Sequence, residues 1–280
     1  MSLKFCDLHT HSTFSDGTLT PEELILAAKA AGLSAVALTD HNTVAGLEQF
    51  LTAGAVAGIE AIAGIEISAA IKEGEMHIVG LGIRPSGFAA VTAYLSPFLA
   101  VKDKSIRALV AALSAGGYPL DYEAIAAETD GQPNRAHVAA ALVRAGYVPS
   151  IDAAFERLLD KRHGFYREPA RPSPEEAVAL LHSVGARAVL AHPFYDFNEA
   201  ELCTFLGEAM EWDECPDAME TLYAEYTPAE EEIAARVAAR YHLLPSGGSD
   251  FHGDRKPGIL LGRGRGNLLI PYSFWENLKP

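Results

Sequence analysis

The stretch DLHTHSTFSDG, Asp7 to Gly17, sets two imidazoles one residue apart, His9 and His11, with a carboxylate, Asp16, close behind. The run Lys4–Leu8 that leads into it reads as a short buried strand. A chain that leaves such a strand and at once offers His, His and Asp is building a polar site at a strand end. Along an extended segment alternate side chains share a side, so His9 and His11 can face one ion.

The same arrangement recurs along the chain. Strands are expected at about Ala35–Thr39, Ile59–Ser68 and Met76–Ile83, the last two joined by the hairpin-like turn KEGE. Ala186–Ala191, Ala218–Leu222 and Leu243–Ser246 bring the expected count to about seven. Helices are expected from Thr20 to Gly32, at about Val44–Ala57, from Ser173 to about Val184, and at Glu199–Glu211 and Pro228–Tyr241. Thr20-Pro21-Glu22-Glu23 and Ser173-Pro174-Glu175-Glu176 each combine a capping hydroxyl, a proline at the first helical position and a glutamate reaching back to the cap. Strands alternating with helices predict an α/β fold with βαβ units and a mainly parallel sheet, and the count favours a closed barrel. From about Gly87 to Arg171 the pattern changes to Ala-rich helical periodicity without a convincing strand. Residues 1–86 and 172–280 are therefore expected to form the barrel, and 87–171 a helical insertion of three or four helices that lids one end.

Ten histidines are present, and their placement carries the chemistry. His41 follows AVALTD, His192 follows ARAVLA, and Asp250 and His252 follow LLPSGGS; Glu66 lies in the third strand and His77 opens the fourth. The C-terminal ends of parallel barrel strands share one face, so these groups should converge there with His9, His11 and Asp16. A single histidine after a strand is usually a hydrogen-bonded structural group. The conjunction is different, because clustered acids and imidazoles without a counter-ion are electrostatically unfavourable. Imidazole and carboxylate donors without thiolate suit Zn, Mn or Fe(II). Nine ligands are too many for one ion and point to two or three, with a bridging carboxylate. Asp40, just before His41, reads either as a group orienting an imidazole or bridging water, or as a plain helix N-cap.

With DLHTHSTFSDG, ALTDHNTVAGL, GIEIS, HIVGLGI, LAHP and GSDFH in this order, the chain resembles the PHP (polymerase and histidinol phosphatase) superfamily, over about Leu3–Ile83 and Ala186–His252. Within it the chain looks most like the standalone metal-dependent phosphoesterases, which include 3′,5′-nucleoside bisphosphate phosphatases and 5′-to-3′ exonucleases of short oligonucleotides. The resemblance implies a distorted (β/α)7 barrel with a trinuclear centre. It would place His9, His11, Glu66 and Asp250 on one ion, Glu66, His77 and His192 on a second with Glu66 bridging, and Asp16, His41 and His252 on a third. In PNRAHVAAAL, Arg135 and His137 open a helix and could reach a phosphate, as a similar Arg-x-His does in the relatives. Arg162, in DKRHGFYRE, falls where the relatives carry a basic residue, commonly Lys. His163 and Tyr166 line the pocket or pack.

The chemistry expected is attack on a phosphomonoester by metal-activated hydroxide, without a covalent enzyme intermediate. A nucleotide such as a nucleoside 3′,5′-bisphosphate is the first substrate expectation. A 5′-3′ exonuclease on short 5′-phosphorylated oligonucleotides, a histidinol-phosphate phosphatase and a non-catalytic metal-stabilised domain are the alternatives. The net charge of −15 argues against duplex nucleic acid as a partner. No apolar run nears the roughly 20 residues that span a bilayer, and no basic stretch followed by an apolar one opens the chain as a secretory signal would. Cys6, Cys203 and Cys215 are few and widely spaced, which fits a reducing cytoplasm rather than a disulfide framework. GRGRG, Gly262–Gly266, reads as a flexible loop rather than a phosphate nest, and His182, His242, Trp212 and Trp275 as structural.

Overall fold

The computed structural model describes residues 3–72, 74–129 and 131–280. Glu73, in the KEGE turn, lies outside the described residues. The chain opens with β1 (Phe5–Asp7), α1 (Pro21–Ala30), β2 (Ala35–Leu38), α2 (Leu47–Ala57), β3 (Glu60–Ile71) and β4 (Gly74–Leu81). A helical stretch follows: α3 (Phe88–Ala115), α4 (Tyr122–Ala126), α5 (Arg135–Arg144) and α6 (Ile151–Ala154). Then come α7 (Pro174–Ser183), β5 (Arg187–Leu190), α8 (Glu199–Ala209), β6 (Ala218–Tyr223), α9 (Pro228–Arg240), β7 (Leu244–Gly248), β8 (Ile270–Pro271) and α10 (Tyr272–Leu278).

The capping boxes form where the sequence places them. The Thr20 and Ser173 hydroxyls accept from the backbone of Glu23 and Glu176, whose carboxylates return to the cap backbone. Helix α1 then turns Leu24, Ile25 and Ala28 inward. Burying Leu24 and Ile25 fully contributes about 1.5–3 kcal/mol each.

The sheet order is β7-β6-β5-β4-β3-β2-β1-β8. Strands β1 to β3 and β5 to β7 pair in parallel, whereas β4 runs antiparallel to both β3 and β5. Closure comes from the residues just past β1. The Leu8 N–H donates to the Gly247 carbonyl at 3.3 Å, Asp250 N–H to the His9 carbonyl at 2.9 Å, and His11 N–H to the Phe251 carbonyl at 2.9 Å. The segment that carries the histidines is thus itself the seam of the barrel. Gly248 allows this approach, since a Cβ there would lie 2.1 Å from the His9 Cβ.

An eighth strand exceeds the expected seven. β8 is two residues long and contains a proline, so it carries too little pattern to read as a strand. It pairs antiparallel with Phe5 and Cys6 at the opposite end from the histidines. GRGRG is not a loose loop: Gly262 N–H donates to the buried Asp7 carboxylate at 2.8 Å. His242 lies just beyond α9 at φ 59, not within the helix, and Trp275 is packed in the core.

Helix α3 belongs to two apolar clusters. Phe88, Val91 and Leu95 pack with Val178 and Leu181 against the barrel. Ile106, Leu109, Val110 and Leu113 pack with Val138, Leu142, Leu158 and Leu159 in a separate cluster.

His182, on α7, bonds Asp217 at 2.8 Å and Glu214 at 2.6 Å through its two ring nitrogens. Burial would lower its pKa, but the hydrogen bonds to Asp217 and Glu214 outweigh it and raise it above 6.5. A raised folded pKa gives stability that is complete below the unfolded value and lost as pH rises through the folded one. His182→Asn should therefore destabilise by about 0.5–1 kcal/mol at pH 6, after solvent screening. The difference should shrink by pH 9, read as urea midpoints of the two proteins. A gap that widens with pH would contradict this.

Candidate metal centre

All nine histidines and carboxylates expected as ligands lie together at the seam end of the barrel. Their inward atoms fall into four overlapping groups with members within 4.8 Å of one another. These are His11, Asp16, His41 and His252; His9, Glu66 and His192; His9, His11 and Asp250; and His41, Glu66 and His77. His77 has both His41 and His192 as ring neighbours, at 5.1 and 5.2 Å, and His77 and His192 approach the same Glu66 oxygen, Oε1, as the grouping implied by the resemblance has them. His77 reaches this end because β4 is reversed; it sits across from Ser68, and its Nδ1 lies 2.7 Å from the Glu66 Oε1.

Glu66 is the hub. Its two oxygens lie within 3.2 Å of nitrogens on His9, His11, His41, His77 and His192. It is fully buried, on a strand walled by Ile65 and Ile67. Asp250 approaches His11 at 3.2 Å, and Asp16 approaches His252 at 3.2 Å.

Three imidazoles have their outer nitrogen tied down. His9 Nδ1–H donates to Glu220 Oε1 at 2.9 Å, since a carboxylate can only accept. His252 Nδ1–H donates to the Asp250 carbonyl at 2.8 Å. His11 Nδ1 faces the Ser15 hydroxyl at 3.4 Å, whose own hydrogen goes to Asp40. Each arrangement leaves the Nε2 lone pair facing inward, the orientation a metal ligand needs.

Whether divalent ions fit can be tested on the buried polar atoms. His9 Nε2, His11 Nε2, Asp16 Oδ1, His41 Nδ1, Glu66 Oε2 and His77 Nδ1 are buried and make no hydrogen bond among the described residues. Buried polar atoms are ordinarily satisfied, so six unsatisfied ones pointing at a shared centre fit cations. The protein's own electrostatics agree. Burial works against ionisation throughout, yet neighbouring imidazoles hold Glu66 and Asp16, and Lys256 with the imidazoles holds Asp250, well below the carboxylate range. Against burial, carboxylate contacts push His11 up to about 9, and Glu66, Glu220 and Asp250 raise His9. His252 goes the other way, to about 4, through burial and the nearby His11.

The supports of this centre were partly invisible in the sequence. Glu220 accepts His9 Nδ1–H and, through its other oxygen, His192 N–H at 2.7 Å. That second bond holds His192 at φ 28, which aims its ring into the site. Glu220 stands in AMETLY, and a carboxylate in an otherwise buried strand was the available signal. Asp7 accepts from the backbone of His9, Ser249 and Gly262, joining three loops beneath the site. Asp40 accepts from Ser12 N–H at 2.7 Å, Ser12 Oγ at 2.5 Å and Ser15 Oγ at 2.6 Å. It thereby ties down the loop between His11 and Asp16, rather than capping α2.

The residues expected at the substrate separate. Arg135 lines a recess of about 200 Å³ beside Asp16, His41 and His77. Its guanidinium pairs with Glu75 at 2.8 Å and lies 4.5 Å over the Tyr166 ring. His137 is fully buried; its Nδ1 accepts the Asn134 N–H as part of the α5 cap, and Asn134 in turn donates to Asp16 at 2.8 Å. Arg162 is 77% exposed and doubly bonded to Asp160. His163 bonds the Glu156 carbonyl.

The model of the PHP domain matches residues 7–167. The chain is 34% identical over 247 residues to a 5′-3′ exoribonuclease of Haemophilus influenzae, covering 88% of this chain and 89% of that protein. It is 30% identical over 283 residues to a 3′,5′-nucleoside bisphosphate phosphatase of Chromobacterium violaceum, covering 98% and 96%. A solved structure from Chromobacterium violaceum, described as an amidohydrolase with bound sulfate and no metal, superposes with a TM-score of 0.87 at 30% identity, covering 98% of this chain and 95% of that one. No described helix is long and apolar enough to cross a membrane. The chain belongs to the PHP domain family and is a hydrolase of phosphoester bonds.

Proposed function

We propose that the protein is a metal-dependent phosphomonoesterase acting on a small nucleotide such as a nucleoside 3′,5′-bisphosphate. The observation that carries this reading is the convergence of nine imidazole and carboxylate side chains, six of them with a buried inward atom left unsatisfied among the described residues, beside a recess that Asp16, His41 and His77 line. His9, His11, Asp16, His41, Glu66, His77, His192, Asp250 and His252 would hold up to three Mn²⁺, Zn²⁺ or Fe²⁺ ions, which when bound would supply a hydroxide nucleophile near neutral pH and positive charge for the phosphoryl group. Arg135, steadied by Glu75 and Tyr166, turns its remaining N–H groups to the phosphate. Residues 87–171 act as the lid, since α3 and the start of α5 wall the recess. His137 serves substrate binding through Asn134 and Asp16, and exposed Arg162 suits a distal phosphate of a longer substrate.

Three hydroxyls that flank His9 and His11 are already committed. Ser12 and Ser15 donate to Asp40, and Thr10 donates to the Ala37 carbonyl. Oxygen from the solvent should therefore enter the released phosphate directly, and isolation of a phosphoenzyme would overturn this.

A second reading, a 5′-3′ exonuclease on short 5′-phosphorylated oligonucleotides, is favoured by the Haemophilus influenzae relative. The acidic charge of −15 favours the smaller substrate. The deciding experiment is a release screen with Mn²⁺ over nucleotides, bisphosphates, short oligonucleotides and histidinol phosphate, with carboxylic esters and amides as controls. Bisphosphates should give the highest kcat/KM, and a chelator should abolish release until metal is restored. Stepwise shortening of oligonucleotides from the 5′ end would establish the second reading instead. Hydrolysis of the ester or amide controls alone would remove both.

A further inference from the structure

A groove of about 620 Å³, which none of the nine ligands lines, runs between helices α1 and α2 on the outer wall of the barrel. Each helix returns the chain between neighbouring parallel strands, so the two point the same way. Their C-terminal ends are joined where Lys29 Nζ donates to the Ala57 carbonyl at 2.6 Å. Ile25 and Ala53 lie at the bottom of the groove, and Leu26 and Val56, 61% and 86% exposed, stand over it. The charges are divided along its length. Glu22 and Glu48, in the first turns of the two helices, hold one end, and Lys29, in the last turn of α1, holds the other. All three are exposed.

We propose that this face joins two copies of the chain, about a two-fold axis that passes beside Leu26. Glu22 and Lys29 are seven residues apart, about 10.5 Å along the helix, with Leu26 between them, four residues from one and three from the other. A second copy turned end for end sets its Lys29 against Glu22 and Glu48 of the first, and its own two glutamates against the first copy's Lys29. The pattern is its own complement, as a two-fold interface requires. Lys29 gives one N–H to Ala57 and keeps two for a carboxylate. In a chain of net charge −15 two copies repel at a distance, so the docking face must carry the cation that meets its own acids. On the axis Leu26 packs on Leu26, and Val56 is withdrawn from water. The helices of the two copies run antiparallel, which also opposes their dipoles. Both helices start at the ligand end of the barrel, so the two metal centres open at opposite ends of the pair and neither is blocked. The inference stands apart from the phosphoesterase reading.

The test is sedimentation equilibrium of the full chain between about 1 and 100 µM, the range of weak self-association. The wild type should move from the mass of one chain to that of two. Leu26→Glu sets two carboxylates face to face on the axis, and Lys29→Glu sets acid against acid; each should weaken association at least about 10-fold. Adding Glu22→Lys and Glu48→Lys to Lys29→Glu should restore it, which a groove shaped for another protein would not do. Leu26→Cys should form a disulfide-linked dimer on mild oxidation, and Val101→Cys, exposed on α3, should not. The altered side chains are exposed, so each variant should melt cooperatively like the wild type. Should a charged variant lose that transition, the wild-type masses and the Leu26→Cys cross-link decide alone. A wild type that stays single throughout, a Leu26→Glu variant that associates as tightly as the wild type, a charge exchange that restores nothing, or a Leu26→Cys that links no better than Val101→Cys would each overturn the proposal.

Discussion

Glu66→Gln should abolish phosphate release, with kcat falling by at least about 10³-fold, the scale of losing a principal charge-stabilising group. Five imidazoles lie within 3.2 Å of the two Glu66 oxygens, so one side chain is common to two of the four ligand groups. An amide keeps the volume but loses the charge, and its N–H donates to an imidazole lone pair that would otherwise face a cation. Elemental analysis should show at least one ion fewer per chain than in the wild type. Thermal melting separates this from misfolding: the variant should keep a cooperative transition. Activity within 10-fold of the wild type, with full metal content, would remove Glu66 from the centre of the mechanism.

Glu220→Gln should lower metal affinity and activity together by about 10–100-fold, the usual cost of losing a carboxylate that orients a ligating histidine. Glu220 touches none of the inward-facing nitrogens. Its two oxygens accept His9 Nδ1–H and His192 N–H, so it sets which His9 nitrogen carries the proton and where His192 points. The loss should be partly recovered by raising Mn²⁺, because the ligands remain and only their orientation is loosened. A deficit that does not change with Mn²⁺ concentration would place Glu220 at the reacting atoms instead.

Much of this arrangement was legible in the sequence because strand ends announce themselves. Apolar runs that stop at His or Asp gave seven of the nine candidate ligands, Glu66 and His77 stood out as a carboxylate and an imidazole facing each other across a hairpin, and the capping boxes at Thr20 and Ser173 gave two helix starts. What escaped notice depended on distant pairings. The β1–β7 seam is made by backbone hydrogen bonds, which carry no side-chain signature. The two-residue β8 pairs with Phe5 and Cys6 through backbone alone. Lys102 lies in an Ala-rich helix whose periodicity says only that it is a helix; its place beside His41 follows from where that helix crosses the mouth. Asp7 opens the quoted motif, yet its bonds to Ser249 and Gly262 span more than 240 residues and could not be read locally.

The same seam dictates when the protein can take up metal during its manufacture. His9 and His11 leave the ribosome early, but the strand that locks them and the Asp250 that completes their ligand group come some 240 residues afterwards. At about 5–20 residues per second, the first histidines wait on the order of ten seconds or more as an open edge. Cation capture is therefore a late event in the life of each new molecule, and a nascent chain stalled before Gly247 should hold no ion tightly, however much is supplied.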